Sequence, residues 1–186
     1  AGAGLVLVAV KPLMVPDVLA EIAPKLAPGT VVVSVAAGVT TATMEALLPE
    51  TVAVVRTMPN TPTAVRRGVT GVAAGARASD ADLAVVETLF STIGSVLRVD
   101  ERQIDALSTI SGSGPAYVFY LIEQLEAAAL ALGFDAAQAA LMVRDTFAGS
   151  LELLAASGQE PAELRRRVTS PNGTTERAIA AFDAAG

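Results

Sequence analysis

Apolar residues enter this chain in two regimes. Up to about residue 100 they come as short runs with little polar alternation: Leu5 to Val10, Thr30 to Ala36, Thr51 to Arg56, Gly68 to Ala74 and Ser95 to Val99. A brief apolar run of this kind, bounded by turn residues, marks a strand covered on both faces. Lys11-Pro12 stops the first run, and Ala37-Gly38 gives the second a tight exit. Helical stretches lie between them. One runs from about 16 to 23, with Pro24 expected to end it and Pro28-Gly29 turning the chain. A short one runs through Leu48, capped by Thr40 or Thr41, and another covers 83–92 behind Ser79-Asp80-Ala81-Asp82, a capping box with aspartate in place of glutamate. Met58-Pro59-Asn60-Thr61-Pro62 is a rigid loop, because two prolines fix φ and hold their neighbours extended. Strands alternating with helices at these lengths predict a doubly wound, Rossmann-like sheet over residues 1–100.

Past Asp100 the strand pattern stops, and helices are predicted at 101–110, 115–132, 136–156, 161–167 and 174–184. The domain boundary is therefore expected near Asp100, with an all-helical domain over 101–186. The second of these helices organises the rest. It opens at Ser111-Gly112-Ser113-Gly114-Pro115-Ala116-Tyr117, where Pro115 suits a helix start because its missing N–H has no partner there anyway. Tyr117 to Ile122 is then apolar without a break, followed by Leu125, Leu130 and Leu132. A helix apolar all round must be covered all round. In so short a chain, a second copy is the expected cover. Gly133 stops this helix, and Asp135 with Gln138 caps the next.

Composition narrows the chemistry. The chain has 186 residues, 52% of them hydrophobic, which is enough for a real core and excludes a disordered chain. No apolar run is long enough to span a bilayer and no basic leader with a cleavage site is visible, so a cytoplasmic location and no membrane partner are expected. The net charge of −6 argues against nucleic acid. Cysteine and histidine are both absent, which removes thiolate chemistry, the commonest general base and the commonest transition-metal ligand. No metal is expected. Chemistry here must rest on hydroxyls, backbone amides, lysine, carboxylates or a cofactor.

Three groups of residues could carry it. The strand exits Val10-Lys11-Pro12, Ala36-Ala37-Gly38 and Arg56 to Asn60 are where an open α/β sheet binds ligands. Each exit alone reads as ordinary loop chemistry; together they fit a nucleotide cofactor. The second group is Thr169-Ser170-Pro171-Asn172-Gly173-Thr174-Thr175-Glu176. Gly173 can take positive φ, and Thr174 or Thr175 begins a helix, so free N–H groups and hydroxyls converge in a cradle suited to a small carboxylate. A plain helix cap is the simpler account of that spacing by itself. Arg165-Arg166-Arg167 is the third, a solvated face that raises the local potential. Neither Gly2-Ala3-Gly4, which precedes a strand, nor Gly112-Ser113-Gly114, which follows none, is a dinucleotide fingerprint.

Taken in order, Ala9-Val10-Lys11-Pro12, Ala36-Ala37-Gly38-Val39-Thr40, Met58-Pro59-Asn60-Thr61-Pro62, Ser111 to Tyr117 and Thr169 to Thr175 resemble the pyrroline-5-carboxylate reductases along nearly the whole chain. The resemblance implies an NAD(P)-binding sheet, a helical domain interlocked in a homodimer or larger homo-oligomer, and hydride transfer from NADPH or NADH to the C=N carbon of 1-pyrroline-5-carboxylate, giving L-proline. It places Val10, Lys11 and Pro12 along the cofactor, Ala36 near the nicotinamide ribose, Asn60 close to the ring and Glu101 toward the cofactor side. Ser170, Asn172, Gly173, Thr174 and Thr175 would form the substrate loop, with the Thr175 hydroxyl also touching the ring nitrogen as the catalytic contact. A protonated imine is already electrophilic, so lack of histidine and metal suits this reaction.

Two departures accompany it. Asn172 stands where the family usually has glycine, and asparagine tolerates left-handed φ. The family's opening G-x-G-x-x-G unit and the βα unit after it, about 60 residues at roughly 30 per unit, have no counterpart here. The sheet is therefore expected to be N-terminally incomplete, with the last family helix cut short. Two alternatives stay open: a reductase of a related cyclic imine carboxylate, and a non-catalytic helical dimerisation module.

Overall fold

The computed structural model describes residues 2–185. Five strands, β1 (Leu5–Val8), β2 (Val31–Ser34), β3 (Ala53–Met58), β4 (Gly68–Ala74) and β5 (Gly94–Arg98), form one sheet in the order β1-β2-β3-β4-β5. β1, β2 and β3 run parallel, with Leu5 beside Val31 and Val31 beside Ala53. β4 runs antiparallel to β3, and β5 parallel to β4. The reversal has a simple cause. A parallel return needs a crossover of about a dozen residues or more. Only a loop with a 3-10 turn at Thr61–Val65 joins β3 to β4.

Helices cover both faces, as the unalternating runs require. On one face α1 (Val15–Ile22) and α2 (Thr41–Glu45) bury Val15, Leu19 and Met44 against Val8, Val32 and Val54. On the other, α3 (Asp80–Ser91) buries Leu83, Val86 and Phe90 against Val31, Val33, Val55 and Val72. Successive residues of β2 thus feed opposite layers. Thr40 caps α2 through its hydroxyl, which accepts the Thr43 N–H at 3.2 Å. Ser79 and Asp82 make the reciprocal box of α3, at 3.2 and 2.8 Å. At the start of β5, Gly94 adopts φ +150° against Gly68, and a Cβ there would collide with the Gly68 backbone.

α4 (Glu101–Leu107) packs on β3 and β4, with Ile104 fully buried and the Ile104 and Leu107 side chains lying over Gly71. It is shorter than the expected 101–110. From Ser108 to Gly112 the chain widens into a π-turn, in which the Ser113 N–H reaches back to the Ser108 carbonyl at 2.9 Å. The chain divides into two compact units between Phe119 and Tyr120, so the first includes α4, the π-turn and the opening of α5 (Gly114–Ala131).

The second unit holds the rest of α5, then α6 (Ala136–Ser157), α7 (Pro161–Arg167) and α8 (Thr174–Ala185). Asp135 and Gln138 exchange hydrogen bonds of 2.8 and 3.1 Å at the start of α6, as expected. An apolar groove of about 290 Å³ lies between Leu125, Leu132, Phe134, Met142 and Phe147. This unit has little interior of its own. Among its described residues only Ala129, Ala139 and Val143 are buried apolar positions. Along α5, Phe119 is 65% and Tyr120 60% exposed, so much of the apolar surface found in the sequence faces outward. No helix of the described residues is long and apolar enough to cross a membrane.

Candidate active site

Because β1, β2 and β3 are parallel, their carboxyl ends open along one edge of the sheet. Beyond β1, Val10 is half-buried while Lys11 and Pro12 are exposed, and a 3-10 turn at Pro12–Met14 leads into α1. Beyond β2, Ala36 is buried and donates its N–H to the Ser34 hydroxyl at 3.2 Å. Gly38, at φ +73°, then turns the chain toward α2. Small side chains at the exits of adjacent parallel strands are what the flat groups of a dinucleotide need. Val10, Lys11, Pro12 and Ala36 lie along this edge.

Asn60 and Glu101 are engaged within the protein. The Asn60 amide donates to the Ser111 carbonyl at 2.9 Å, and its oxygen accepts the Val69 N–H at 2.8 Å. It therefore ties the proline loop to both β4 and the π-turn. One Glu101 oxygen accepts the Thr41 N–H at 2.6 Å and the other the Thr41 hydroxyl at 2.7 Å. Behind Glu101 sits Arg56 of β3, only 2% exposed, with Nη1 at 3.5 Å from Glu101 and Nη2 at 2.7 Å from Asp105. The sequence presents Arg56 only as the start of the β3 exit; its pairing with Asp105, 49 residues away, gives no local signal.

Ser170, Asn172, Gly173, Thr174 and Thr175 form one loop that runs into α8. The left-handed residue is Asn172, at φ 59°, while Gly173 keeps an ordinary negative φ. The expected left-handed freedom of Gly173 is thus not used. Gly173 is instead tight, since a Cβ would approach the Ser170 carbonyl to 3.0 Å, and its N–H donates to that carbonyl at 3.0 Å. The Asn172 N–H is taken by Glu176, whose carboxylate accepts it at 2.7 Å. This strap holds the loop and leaves the first-turn donors at Thr174 and Thr175, which have no intrahelical acceptor. Thr175 is half-buried and Ser170 exposed.

Of the arginine run, Arg166 and Arg167 pair with Glu163 at 2.7 and 2.9 Å. Their hydrogen bonds hold the Glu163 carboxyl below its ordinary range. Arg165 lines an open cavity of about 760 Å³ together with Thr169, Glu176 and Ile179.

A sheet wound on both faces, small residues at its parallel strand exits and a helical C-terminal half define the class: an α/β dinucleotide-type fold followed by helices. Residues 101–186 match the family model described as pyrroline-5-carboxylate reductase dimerisation. The chain is 44% identical to the pyrroline-5-carboxylate reductase of Pseudomonas aeruginosa over 100% of its own length and 68% of that protein. It superposes on a pyrroline-5-carboxylate reductase from Coxiella burnetii with a TM-score of 0.90 at 37% identity, covering 99% of this chain and 69% of that one. A Plasmodium falciparum pyrroline carboxylate reductase with NADP bound superposes with a TM-score of 0.88 at 28% identity, covering 98% and 69%. The chain belongs to the pyrroline-5-carboxylate reductase family.

Proposed function

We propose that this chain reduces 1-pyrroline-5-carboxylate to L-proline with NADPH or NADH, working in the cytoplasm as a homodimer or larger homo-oligomer. When bound, the reduced nicotinamide supplies the hydride, which adds to the C=N carbon while the ring nitrogen keeps its proton. Residues 1–100 form the dinucleotide part in this reading and 101–186 the dimerisation and substrate part. Val10, Lys11, Pro12 and Ala36 line the cofactor. Asn60 and Glu101 shape its surroundings from the positions their hydrogen bonds give them. The substrate carboxylate is held by the Thr174 and Thr175 N–H groups and the Ser170 hydroxyl, with Asn172 and Gly173 setting the turn. Thr175 also directs its hydroxyl to the ring nitrogen.

The observation that carries this reading is the Ser170–Thr175 loop. Glu176 pins its left-handed turn, which leaves the first-turn N–H groups of α8 in place to receive an anion. Preorganised donors are what hydride transfer to an activated imine requires of a protein. Purified full-length protein should oxidise NAD(P)H only when pyrroline-5-carboxylate is added, releasing proline in equal amount. Absence of that turnover refutes the assignment. Fractionation that places the protein outside the cytoplasm refutes the location.

A further inference from the structure

The buried cation on β3 has no part in the chemistry above, and its surroundings give it another one. We propose that Arg56 is a positioning residue for the cofactor, holding Glu101 so that Glu101 fixes the loop beyond β2 through Thr41. This rests on the reading that NAD(P)H binds along the strand exits.

Three observations carry it. First, Arg56 is a poor choice for stability alone. Its guanidinium is almost wholly removed from water, and its Nε finds no hydrogen-bond partner among the described residues. Burying a charge is favourable only when every donor is matched, and an apolar residue of similar volume usually serves a core as well or better. Second, the guanidinium faces one helix, with Nη2 hydrogen-bonded to Asp105 at 2.7 Å and Nη1 in a longer ion pair with Glu101 at 3.5 Å. Glu101 and Asp105 stand one turn apart on α4, and Arg56 reaches both. Third, Glu101 passes the restraint on. Both its oxygens close on Thr41, the residue that follows the Ala36–Thr40 loop, at 2.6 and 2.7 Å. This carboxylate fixes the end of that loop together with the Thr40 cap, the Ala36 contact with Ser34 and the packing of Val39 on the core. Among the described residues the Arg56 side chain makes its polar contacts to Glu101 and Asp105, and Glu101 is the one of the two that also holds Thr41.

The test uses full-length enzyme and two variants. Thr41→Val removes only the hydroxyl donor at constant shape, and Arg56→Met removes the cation while keeping most of the volume. Thr41→Val should raise the NADPH KM by about tenfold or more, the change to which loss of one hydrogen bond to a charged group converts. It should leave kcat and the KM for pyrroline-5-carboxylate within about twofold of wild type. Arg56→Met should raise the NADPH KM further. Amide hydrogen exchange over residues 36–44 should accelerate in both variants, with the 170–175 loop unchanged. Should Arg56→Met not fold, Arg56→Lys, which keeps the charge but loses the fork that reaches both Glu101 and Asp105, takes its place with the same readouts. Wild-type protein that fails to bind NADPH overturns the functional reading and this inference with it. Wild-type binding with an unaltered NADPH KM and unaltered exchange in the variants overturns this inference alone, as does an equal loss in kcat and both KM values.

Discussion

Replacing Asn60 by alanine separates two roles that one side chain could have. By resemblance Asn60 lies close to the nicotinamide, yet its amide bonds Ser111 at 2.9 Å and Val69 at 2.8 Å. Both contacts are part-buried, so the truncation leaves a donor and an acceptor with poor access to water. At roughly 1 kcal/mol for each bond, plus part of the cost of stranding the Val69 N–H, the expected loss is about 2–3 kcal/mol. For a chain of this size each kcal/mol moves Tm by about 2–4 °C, so Tm should fall by roughly 5–10 °C. Thermal unfolding followed by circular dichroism measures this directly. Asn60→Asp keeps an acceptor for Val69 but sets a carboxylate oxygen against the Ser111 carbonyl. It should be no more stable than the alanine variant at neutral pH and should recover on acidification, when a protonated acid can donate. Were Asn60 only a cofactor contact, alanine would lower kcat and leave Tm within about 1 °C of wild type. That result would refute the reasoning.

Three further outcomes follow from other parts of the molecule. Thr175→Ala should raise the substrate KM and lower kcat by about tenfold while NADPH binding stays nearly constant; equal loss of cofactor affinity would show that the loop has been misassigned. Val118→Asp or Phe119→Asp, on the exposed face of α5, should abolish the oligomer in sedimentation experiments, since a carboxylate cannot be buried there without a partner. The Arg98 guanidinium chelates Glu87 at 2.7 and 3.1 Å and holds its carboxyl below the ordinary value of 4.5. A carboxyl depressed in the folded state stabilises it fully above the unfolded value, and that stabilisation is lost as pH falls through the depressed one. Arg98→Met should therefore be less stable than wild type at pH 7 and converge with it in acid, which paired acid-unfolding curves can check.

The layers of the sheet were legible because burial on both faces removes polar alternation, and Val31 to Val33 and Val54-Val55 display that directly. The direction of β4 was not, since a run of apolar residues carries no polarity of its own. Only the shortness of the segment after Met58 could have betrayed it. The caps at Ser79 and Asp135 were readable because their partners lie three residues away. The pairing of Asn60 with Ser111, 51 residues distant, and of Arg56 with Asp105, 49 distant, leaves no local trace. In the substrate loop the chemistry of the hydroxyls could be read from their types. The choice of Asn172 over Gly173 as the left-handed residue could not, because the Glu176 strap that sets it joins a side chain to a backbone amide outside the helix.

The sparse interior of the second unit bears on how the protein comes to exist at all. With three buried apolar residues between Tyr120 and Ala185, that half gains almost nothing by folding in isolation. Acquiring its shape and finding a mate are then a single event, governed by mass action. Newly made chains at low abundance would be open to proteases along α5, and the cellular level of enzyme would rise more steeply than its rate of synthesis.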